Sequence, residues 1–386
     1  MGSSNSSASI TPDASTLSPE LLGQHSLITG FPGFIAARLV RELLELTPAE
    51  HRFVFLVLPS MKHIARERLE EIAQEDDRLD GRWEIVEGDI TEPNLGFDQE
   101  TYARLTDTIG VVWHLAAIYD LAVAEQIAYK VNVTGTIHVL DFCLACKNFK
   151  RHNYISTCYV SGDRTGMIYE RELDMRQGHK NHYEETKFWA EVEVQRRWKD
   201  IPTAIFRPGI VIGDSRTGET DKYDGPYYIF KLLHRLPSWL PLPNIGAGTS
   251  LVNLVPVDFV VDAMARIGLT EHAEQRVYQL ADPNPMTAGD IQALALKLLD
   301  RPEPKGAIPA ALVDNVMRAE RVEELLGVPR ESVIYFNHDA RYDSTNTQRA
   351  LRETSIRCPH LSTYLIHLID YFLRNPEKDF LDNRKL

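Results

Sequence analysis

The chain has 386 residues, of which 44% are apolar and 25% are charged, the balance of a globular protein with a large core. Its net charge of −13 disfavours nucleic acid as a partner, because binding to phosphates requires a basic face. The sequence has no apolar run of about 18 residues, the length that spans a bilayer, so we expect no stable membrane insertion.

Residues 1–24 are rich in serine, and we expect them to form a disordered leader. Gly2 and Ser6 match the N-myristoylation pattern, but the segment is interpreted as a flexible leader without the plan of a signal peptide. Four cysteines in a chain of this length are too few for a disulfide scaffold, which favours a reducing cytoplasm.

From residue 25 onward, short β-rich apolar runs alternate with longer segments of helical periodicity. Continuous apolar strands that alternate with helices indicate a parallel sheet covered on both faces, which is a Rossmann-type doubly wound α/β fold. Strands are predicted at residues 26–29, 53–58, 83–88, 110–115, 153–156, 203–207 and 277–281. Helices are predicted at residues 34–46, 64–73, 124–146, 184–198 and 363–375.

A glycine turn, TGFPG at residues 29–33, follows the first predicted strand. Gly30 permits the tight turn, and Gly33 lets the backbone approach a pyrophosphate, while the next helix directs its N-terminal amides at the phosphates. Ala36 takes the place of a third glycine, since a small residue is enough for close packing of helix on strand. This strand–turn–helix context predicts a dinucleotide-binding site.

The chain is therefore divided into two interleaved parts. Residues 25–208, with about 261–284, are assigned to a dinucleotide-binding Rossmann domain. After residue 208 the alternation weakens, and Gly, Pro and aromatic residues become frequent. Residues 209–260 and 285–386 are assigned to a smaller, mainly C-terminal α/β lobe that binds substrate.

The end of the second strand distinguishes NAD from NADP, because NAD sites usually place a carboxylate there for the ribose. Here the strand is followed by Ser60, Lys62, His63 and Arg66, with no carboxylate among residues 58–66. These groups suit a 2′-phosphate, so NADP(H) is favoured over NAD(H). An ordinary solvated loop is the alternative interpretation.

Two further strand ends are predicted to face the cofactor. Asp89 and Ile90 follow the third strand, where the carboxylate can accept from an adenine amino group and Ile90 can pack on the ring; a turn aspartate is the alternative. The fourth strand ends in HLAA at residues 114–117, whose small side chains leave room for a cofactor. His114 itself is interpreted as structural.

Hydroxyl groups and a Tyr–Lys pair follow the fifth strand. Ser156 and Thr157 stand at its carboxyl end, where open α/β sheets place their ligands. Tyr183 and Lys187 are four residues apart on the next predicted helix and so share one face.

The four-residue spacing alone does not identify a site, because Tyr227 and Lys231 repeat it in an aromatic segment. That segment has no hydroxyl-bearing strand end in the required place before it, whereas Tyr183 lies one helix after Thr157. Position in the predicted sheet therefore selects Tyr183 and Lys187 as the catalytic pair.

Six motifs in order, TGxxGxxA, HLAA, NVxGT, STxYV, YxxxK and RPG, resemble those of the extended short-chain dehydrogenase/reductase family over roughly residues 25–285. The resemblance implies that Tyr183 is the general acid toward a carbonyl oxygen. It implies that Lys187 lowers the tyrosine pKa toward neutrality and holds the nicotinamide ribose. It also implies that Thr157 donates a hydrogen bond to the developing oxyanion and that Asn132 belongs to a proton relay.

The remaining site residues follow from the glycine turn and from this resemblance. The substrate contacts are expected to be Tyr119, Tyr159 and Tyr227, although core packing explains the aromatic residues of the lobe equally well. No metal site is expected, and Cys143 and Cys146 in CLAC are interpreted as a buried apolar pair. The expected cofactor contacts are Gly30, Pro32, Gly33, Phe34, Ile35, Ser60, Lys62, Asp89, Ile90, Leu115, Ala116, Ala117, Tyr183, Lys187, Pro208, Gly209 and Ile210.

The stretches HLAAIYDLAV, YISTCYVSG, YEETKFWAE and VNLVPVDFVVDA are similar to the branch that contains fatty acyl-CoA reductases and the thioester reductase domains of carboxylic acid reductases. That similarity implies reduction of an acyl thioester to an aldehyde by NADPH, with a second hydride giving the alcohol. It implies an acyl or carbonyl substrate brought as a CoA ester, on a separate acyl carrier or as an aldehyde. It also implies a homodimer through residues 124–146 and 184–198.

Other activities remain open at this point. Another reaction of the extended family, by a hydroxysteroid or ketone dehydrogenase or a sugar-nucleotide epimerase, is the first alternative. An epimerase needs basic groups for a diphosphate, and the segment RTGETDKYDGP offers only Arg216 and Lys222. A non-catalytic nucleotide sensor is less favoured, because Tyr183 and Lys187 are both in place.

Overall fold

Seven parallel strands form the central sheet of the computed structural model, which describes residues 16–119, 123–245, 248–308 and 339–376. The order of the strands is β3-β2-β1-β4-β5-β6-β7, so the chain builds outward first to one side of β1 and then to the other. This is the doubly wound Rossmann topology, and it confirms the predicted fold class. The strands are β1 (His25–Thr29), β2 (Phe53–Val57), β3 (Trp83–Glu87), β4 (Ile109–His114), β5 (Arg151–Ile155), β6 (Thr203–Pro208) and β7 (Arg276–Leu280).

Helices pack on both faces of the sheet. The helices are α1 (Phe34–Leu46), α2 (Lys62–Glu75), α3 (Gln99–Thr108), α4 (Glu125–Tyr129), α5 (Gly135–Ala145), α6 (His182–Arg196), α7 (Tyr227–Arg235), α8 (Val257–Gly268), α9 (Ala288–Leu298), α10 (Thr345–Ala350) and α11 (Leu361–Arg374). The apolar sides of α1, α2 and α8 share one core cluster, and those of α3, α5 and α6 share another. Within the described ranges, none of these helices has the length and apolar character to cross a bilayer.

All seven predicted strands are present within two residues of their predicted bounds. The largest difference is at β5, which is predicted from residue 153 but begins at Arg151. The prediction misses the start because the first two side chains of the strand are polar although buried. The Arg151 guanidinium donates to the Gly268 carbonyl at 3.2 Å and pairs with Glu274 at 2.7 Å. A strand that starts with a satisfied buried arginine lacks the apolar pattern that marks the other strands.

The single helix predicted at residues 124–146 is interrupted. It consists of α4, a π-helical turn at Lys130–Thr134, and α5. A π turn inserts an extra residue into the helical ladder, and such turns occur often at functional sites. The turn contains Asn132, which is 1% exposed.

The beginning of the described chain packs on the Rossmann part. Leu17 bridges to Thr270, a helical turn forms at Pro19–Leu22, and Leu21 is 4% exposed. The predicted leader therefore differs from the structure over residues 16–24, because two leucines within a serine-rich segment find an apolar partner. Residues 1–15 of that leader lie outside the described residues.

A separate apolar cluster joins α7, α9 and α11 with the short strands at Ile210–Ile212 and Leu254–Pro256. That this part of the chain binds substrate stays a prediction. Residues 340–351 are predicted to belong to the lobe but pack on the Rossmann part. Their strand, Ala340–Tyr342, pairs with Gly166–Ile168, and α10 packs beside β7. The parts of the predicted lobe at 309–338 and 377–386 lie outside the described residues.

Candidate active site

The glycine turn after β1 closes against the end of β4. Gly30 has φ +84°, and a Cβ atom there would lie 2.7 Å from the backbone nitrogen of Ala116, so only glycine fits. The Gly33 amide donates to the Gly30 carbonyl at 2.9 Å, and α1 begins at the next residue. A loop without side chains that leads into a helix N-terminus fits a dinucleotide pyrophosphate.

A chain of buried hydrogen bonds fixes this turn to the fourth strand. The Thr136 hydroxyl donates to the Asn132 carbonyl at 2.6 Å, so it accepts from Nε2 of His114 at 3.0 Å. Nδ1 of His114 then accepts from the Thr29 hydroxyl at 2.8 Å. Burial and the neighbouring His152 hold the pKa of His114 well below its usual value. His114 is thus a neutral linker, in agreement with its predicted structural role.

The residues after β2 differ in part from expectation. Ser60 and His63 are exposed, and Arg66 lies 5.8 Å from the ring centre of Trp83. Nζ of Lys62 pairs with a carboxylate oxygen of Glu87 at 2.5 Å. A carboxylate therefore does lie beside the end of β2, but it belongs to the last residue of β3, which is adjacent in the sheet.

Asp89 and Ile90 sit in a turn at the same edge. The Asp89 carboxylate accepts from the Thr91 amide at 2.8 Å, which is the contact of a turn aspartate. Ile90 is 6% exposed, and a Cβ atom at Gly135 would lie 2.8 Å from its side chain. Contact of these two residues with adenine stays a prediction.

Thr157 and Tyr183 meet at the carboxyl end of β5. Thr157 is 4% exposed, and its Oγ accepts from the Tyr159 amide at 3.2 Å. Burial raises the pKa of Tyr183 to about 12, while a side-chain hydrogen bond with Thr157 and the charge of Lys222 lower it. The expected near-neutral tyrosine pKa is thus not found, because burial of the phenolate costs more than these groups recover.

Lys187 lies under the same strand end. It is 3% exposed, and its Nζ donates to the Ile155 carbonyl at 2.7 Å and lies 4.5 Å from the ring centre of Tyr154. Burial lowers the pKa of Lys187 to about 7, although the charge of Glu191, one turn further along α6, raises it.

Asn132 joins three elements near this pair. Its amide oxygen accepts from the Ile118 amide at 2.9 Å, and its amide nitrogen donates to the Ile118 carbonyl and to the Thr186 hydroxyl, both at 3.0 Å. The side chain therefore clamps the loop after β4 to α6. Its proton-relay role stays a prediction.

The three predicted substrate tyrosines lie in different surroundings. The ring centre of Tyr119 is 4.3 Å from Nζ of Lys222, so it faces the lobe segment before α7. Tyr159 is 8% exposed and contacts the ring of Tyr342 edge to face at 6.1 Å. Tyr227 is 1% exposed within the aromatic cluster of the lobe, and its hydroxyl accepts from the Gly213 amide at 3.1 Å. These contacts favour core packing for Tyr227.

The second Tyr–Lys spacing belongs to the lobe. Nζ of Lys231 lies 5.7 Å from the ring centre of Tyr223 and 5.6 Å from that of Tyr228. Because Tyr227 is buried in the lobe core, this pair lacks the strand-end hydroxyl that accompanies Tyr183.

The end of β6 is tightly packed. A Cβ atom at Gly209 would lie 2.7 Å from the carbonyl oxygen of Asn253, and the Gly209 amide donates to the Leu280 carbonyl at 3.1 Å. Pro208 and Gly209 are both buried, and Ile210 is partly exposed. Their predicted contact with nicotinamide is compatible with this position at the strand end.

The CLAC cysteines behave as an apolar pair. Cys143 and Cys146 are buried in the core cluster of α5, and burial raises the pKa of the Cys146 thiol to about 12. A thiol that resists ionisation is a poor nucleophile and a poor metal ligand.

Lys222 is one residue whose charge acts on Tyr183 and that the sequence does not assign to the catalytic site. The sequence marks it only as a cation for a sugar diphosphate, because its segment is far from Tyr183 in the chain and has no strand or helix pattern. The one signal is its position just before the aromatic stretch of the lobe.

Over residues 28–264 the chain matches the model of an NAD-binding domain family described as Male sterility protein. It is 27% identical to a linear gramicidin synthase protein of Brevibacillus parabrevis over 94% of this chain, and spans 7% of that protein. It is 25% identical to fatty acyl-CoA reductase 1 of Arabidopsis thaliana over 69% of this chain and 68% of that protein.

The fold also has a solved relative. The terminal R domain from the myxalamid PKS-NRPS biosynthetic pathway superimposes with a TM-score of 0.78 at 24% identity, over 96% of this chain and 97% of that one. The family model covers more than half of the chain, including the glycine turn, Thr157, Tyr183 and Lys187. The chain therefore belongs to the Male sterility protein family and is an NAD(P)-dependent reductase of the extended short-chain dehydrogenase/reductase type.

Proposed function

We propose that the protein reduces an acyl thioester, carried by CoA or by an acyl carrier, to the aldehyde, and that it reduces long-chain aldehydes to alcohols. The observation that carries the proposal is the meeting of Thr157 and Tyr183 at the end of β5, with Lys187 beneath them. The choice of a thioester as the substrate is inferred from the relatives, since one of them is named a fatty acyl-CoA reductase.

In this scheme the bound NAD(P)H supplies the hydride to the carbonyl carbon. Thr157 and Tyr183 donate hydrogen bonds to the carbonyl oxygen as it gains negative charge, and Tyr183 gives it a proton. The resulting hemithioacetal loses its C–S bond while its hydroxyl proton passes to the departing sulfur, so the thiol leaves and the aldehyde forms. The Tyr183 phenolate then regains a proton from solvent. A phenol with a pKa near 12 stays protonated at neutral pH, which keeps Tyr183 available as the donor.

Lys187 is proposed to hold the nicotinamide ribose. Its ammonium is already fixed by the Ile155 carbonyl, and Glu191 helps to keep it charged. With its pKa near 7, a second polar partner such as a ribose hydroxyl would favour the charged form further.

NADP(H) is proposed as the cofactor in preference to NAD(H). Ser60, Lys62, His63 and Arg66 follow the end of β2 in the sequence, and this is what supports the preference. The Lys62–Glu87 pair opposes it, because a 2′-phosphate must share the lysine with that carboxylate. The affinity difference between the two cofactors is therefore expected to be modest.

A homodimer through α4, α5 and α6 is proposed as well. Ile127 and Tyr129 on α4 and Trp189 on α6 are 54%, 49% and 42% exposed, and these apolar side chains support an interface at the two helices. Light scattering of the wild type and of a Trp189→Glu variant tests the interface. A wild-type mass equal to one chain would contradict the dimer.

The four cysteines are unpaired, which supports the predicted cytoplasmic location.

The function is tested by following NADPH and NADH oxidation with acyl-CoAs of several lengths, aldehydes, ketones and sugar nucleotides, and by identifying the products. Turnover of acyl-CoA to aldehyde is the expected result. Tyr183→Phe is expected to lose about 10²- to 10⁴-fold in kcat with nearly unchanged cofactor affinity. Turnover confined to ketones or sugar nucleotides would overturn the thioester proposal.

The epimerase alternative has weak support. Arg216 pairs with Asp214 at 3.3 Å, and Lys222 pairs with Asp224 at 2.6 Å. Both cations that the segment offers to a diphosphate are thus engaged with carboxylates.

A further inference from the structure

Residues 340–347 pack against the turn that follows β5, although they lie far from it in the chain. Their strand, Ala340–Tyr342, pairs in parallel with Gly166–Ile168. The buried side chains of these two strands share a small apolar cluster with Cys158, the residue after Thr157. The 340–347 segment is therefore in direct contact with the turn that begins at Thr157.

Thr157 and the turn after it form one hydrogen-bonded unit. Thr157 is the N-cap of a 3₁₀ turn at Cys158–Ser161, and its Oγ accepts from the Tyr159 amide at 3.2 Å. The Gly162 amide closes the turn by donating to the Tyr159 carbonyl at 3.0 Å. Because the Tyr159 amide occupies one lone pair of the Thr157 oxygen, the hydroxyl hydrogen is left for another acceptor. The position of the Tyr159 backbone therefore helps to set the direction of the Thr157 hydroxyl.

Tyr342 contacts this turn at two points. Its ring meets the ring of Tyr159 edge to face, with 6.1 Å between the ring centres, and its hydroxyl oxygen lies 3.4 Å from that of Ser161. Edge-to-face contact is a favoured arrangement of aromatic rings, whereas 3.4 Å is long for a hydrogen bond between two hydroxyls. Tyr342 and Tyr159 are both buried, so the ring contact excludes water. The ring is therefore the part of Tyr342 that holds the turn.

Glu170 anchors the same segment to β7, the last strand of the sheet. Its carboxylate is buried and accepts from the Gln279 amide at 3.0 Å and from the Asn346 amide at 2.6 Å. The Thr347 hydroxyl donates to the Gln279 carbonyl at 3.0 Å. These side chains occupy the edge of β7, so the 340–347 segment is fixed to the central sheet.

We propose that Tyr342 is a positioning residue that acts through Thr157. Its ring holds the Tyr159 side of the turn, and this keeps the Thr157 hydroxyl directed at the reacting carbonyl oxygen. A part of the chain that the sequence assigns to the substrate lobe thereby sets the geometry of the oxyanion donor. This inference rests on the proposed role of Thr157 as that donor.

The kinetic test compares Tyr342→Leu, which removes the ring, with Tyr342→Phe, which keeps it. Tyr342→Leu is expected to lower kcat about 10- to 100-fold with little change in cofactor KM, because a misplacement of about 1 Å in a catalytic group has an effect of this size. Tyr342→Phe is expected to retain most of kcat. An unchanged kcat in Tyr342→Leu would overturn the proposal.

Tyr278→Leu is the matched control for lost packing. Tyr278 is buried, its ring stacks on that of Phe206 with 5.7 Å between the ring centres, and it belongs to the core cluster that contains the apolar side of α8. This variant loses a buried ring of the same size, so it is expected to be less stable while its kcat stays near the wild-type value. A loss of kcat equal to that in Tyr342→Leu would assign the effect to stability in general and would contradict the proposal.

A double-mutant cycle separates action through Thr157 from direct action on the substrate. In the Thr157→Val background, Tyr342→Leu is expected to reduce kcat little further, because no hydroxyl remains to be directed. An equal fold-loss in both backgrounds would show that Tyr342 acts on another group of the site, which is incompatible with the proposed role.

Hydrogen exchange followed by mass spectrometry requires no substrate, so this experiment stands even where the thioester proposal fails. In Tyr342→Leu, peptides that cover residues 157–163 are expected to exchange about 10-fold faster than in the wild type, since the amides of Tyr159 and Gly162 are bonded within the turn. In Tyr278→Leu the same peptides are expected to keep the wild-type rate. Equal exchange of these peptides in all three proteins would refute the coupling of Tyr342 to the turn, whichever carbonyl compound proves to be the substrate.

Discussion

Ser156 donates its hydroxyl hydrogen to Glu191 at 2.6 Å, whereas the neighbouring Thr157 bonds with Tyr183. Glu191 is fully buried and also holds Arg207 through paired contacts of 2.5 Å and 3.0 Å. Two adjacent hydroxyls at one strand end therefore have separate tasks. Ser156 satisfies a buried ion pair beneath the site, and Thr157 bonds with Tyr183, where we propose that it faces the reacting oxygen.

This division predicts different outcomes for two neighbouring substitutions. Thr157→Val is expected to lower kcat about 10²- to 10³-fold with little loss of stability, since it removes a donor to the oxyanion. Ser156→Ala is expected to lower the free energy of unfolding by about 1–3 kcal/mol with a small effect on kcat, because a buried carboxylate loses a donor. Steady-state kinetics and urea denaturation measure the two effects. Similar losses of kcat in both variants would contradict the assignment.

A second prediction concerns the pH dependence of stability. The pKa of Lys187 is lowered from 10.5 to about 7 in the folded protein, so the unfolded chain binds more protons between these values. Its contribution to the free energy of unfolding therefore rises with pH across that window, by at most about 1.4 kcal/mol per unit. Below about pH 7 the contribution is constant, because both states are then protonated.

The measurement is urea denaturation at several pH values in the wild type and in Lys187→Met. The difference in unfolding free energy between the two proteins is expected to shift in favour of the wild type as the pH rises from 7 toward 10. A constant difference would show that Lys187 keeps an ordinary pKa in the folded state.

The third prediction tests the glycine turn. Gly30→Ala places a methyl group 2.7 Å from the Ala116 backbone and forces a left-handed conformation, so NADPH affinity is expected to fall about 10-fold or more. Gly81→Ala is the matched control, because Gly81 has φ +66° but has no heavy atom within 4 Å of the added Cβ. It is expected to bear the backbone strain alone and to bind NADPH normally in a fluorescence titration. Equal loss of binding in both variants would indicate a general effect on stability.

The parts that sequence reasoning predicts are those that depend on local pattern. The apolar runs of the strands and the glycine turn signal their structure within a few residues, and the Tyr183–Lys187 face follows from helical spacing. Arg151 is missed as the start of β5 because its burial depends on the Gly268 carbonyl, 117 positions away in the chain. No local pattern reports such a partner.

The same reason explains what is missed in the site. The π turn contains Asn132, whose partners Ile118 and Thr186 lie on other elements, and helical periodicity does not reveal it. Lys222 lies in a segment that is attached to the Rossmann part by ion pairs of its neighbours with Arg38 and Arg68. Glu87 is identified as the partner of Lys62 only when β2 and β3 are known to be neighbours in the sheet. A search confined to the end of β2 therefore does not find this carboxylate.

The Lys62–Glu87 pair leads to the fourth prediction. Both side chains are about half exposed, at 44% and 45%, so the pair is worth at most about 1 kcal/mol. Glu87→Gln releases Lys62 for a 2′-phosphate and removes a nearby negative charge. Affinity for NADPH is therefore expected to rise about 3-fold while affinity for NADH stays constant.

Lys62→Gln is the reciprocal variant, and it is expected to weaken NADPH binding without affecting NADH. Fluorescence titrations at low and moderate salt measure both cofactors, and the gain in Glu87→Gln should shrink as salt screens the lysine. An NADPH to NADH affinity ratio that is the same in all three proteins would place the 2′-phosphate away from Lys62. The cofactor preference would then rest on Ser60, His63 and Arg66 alone.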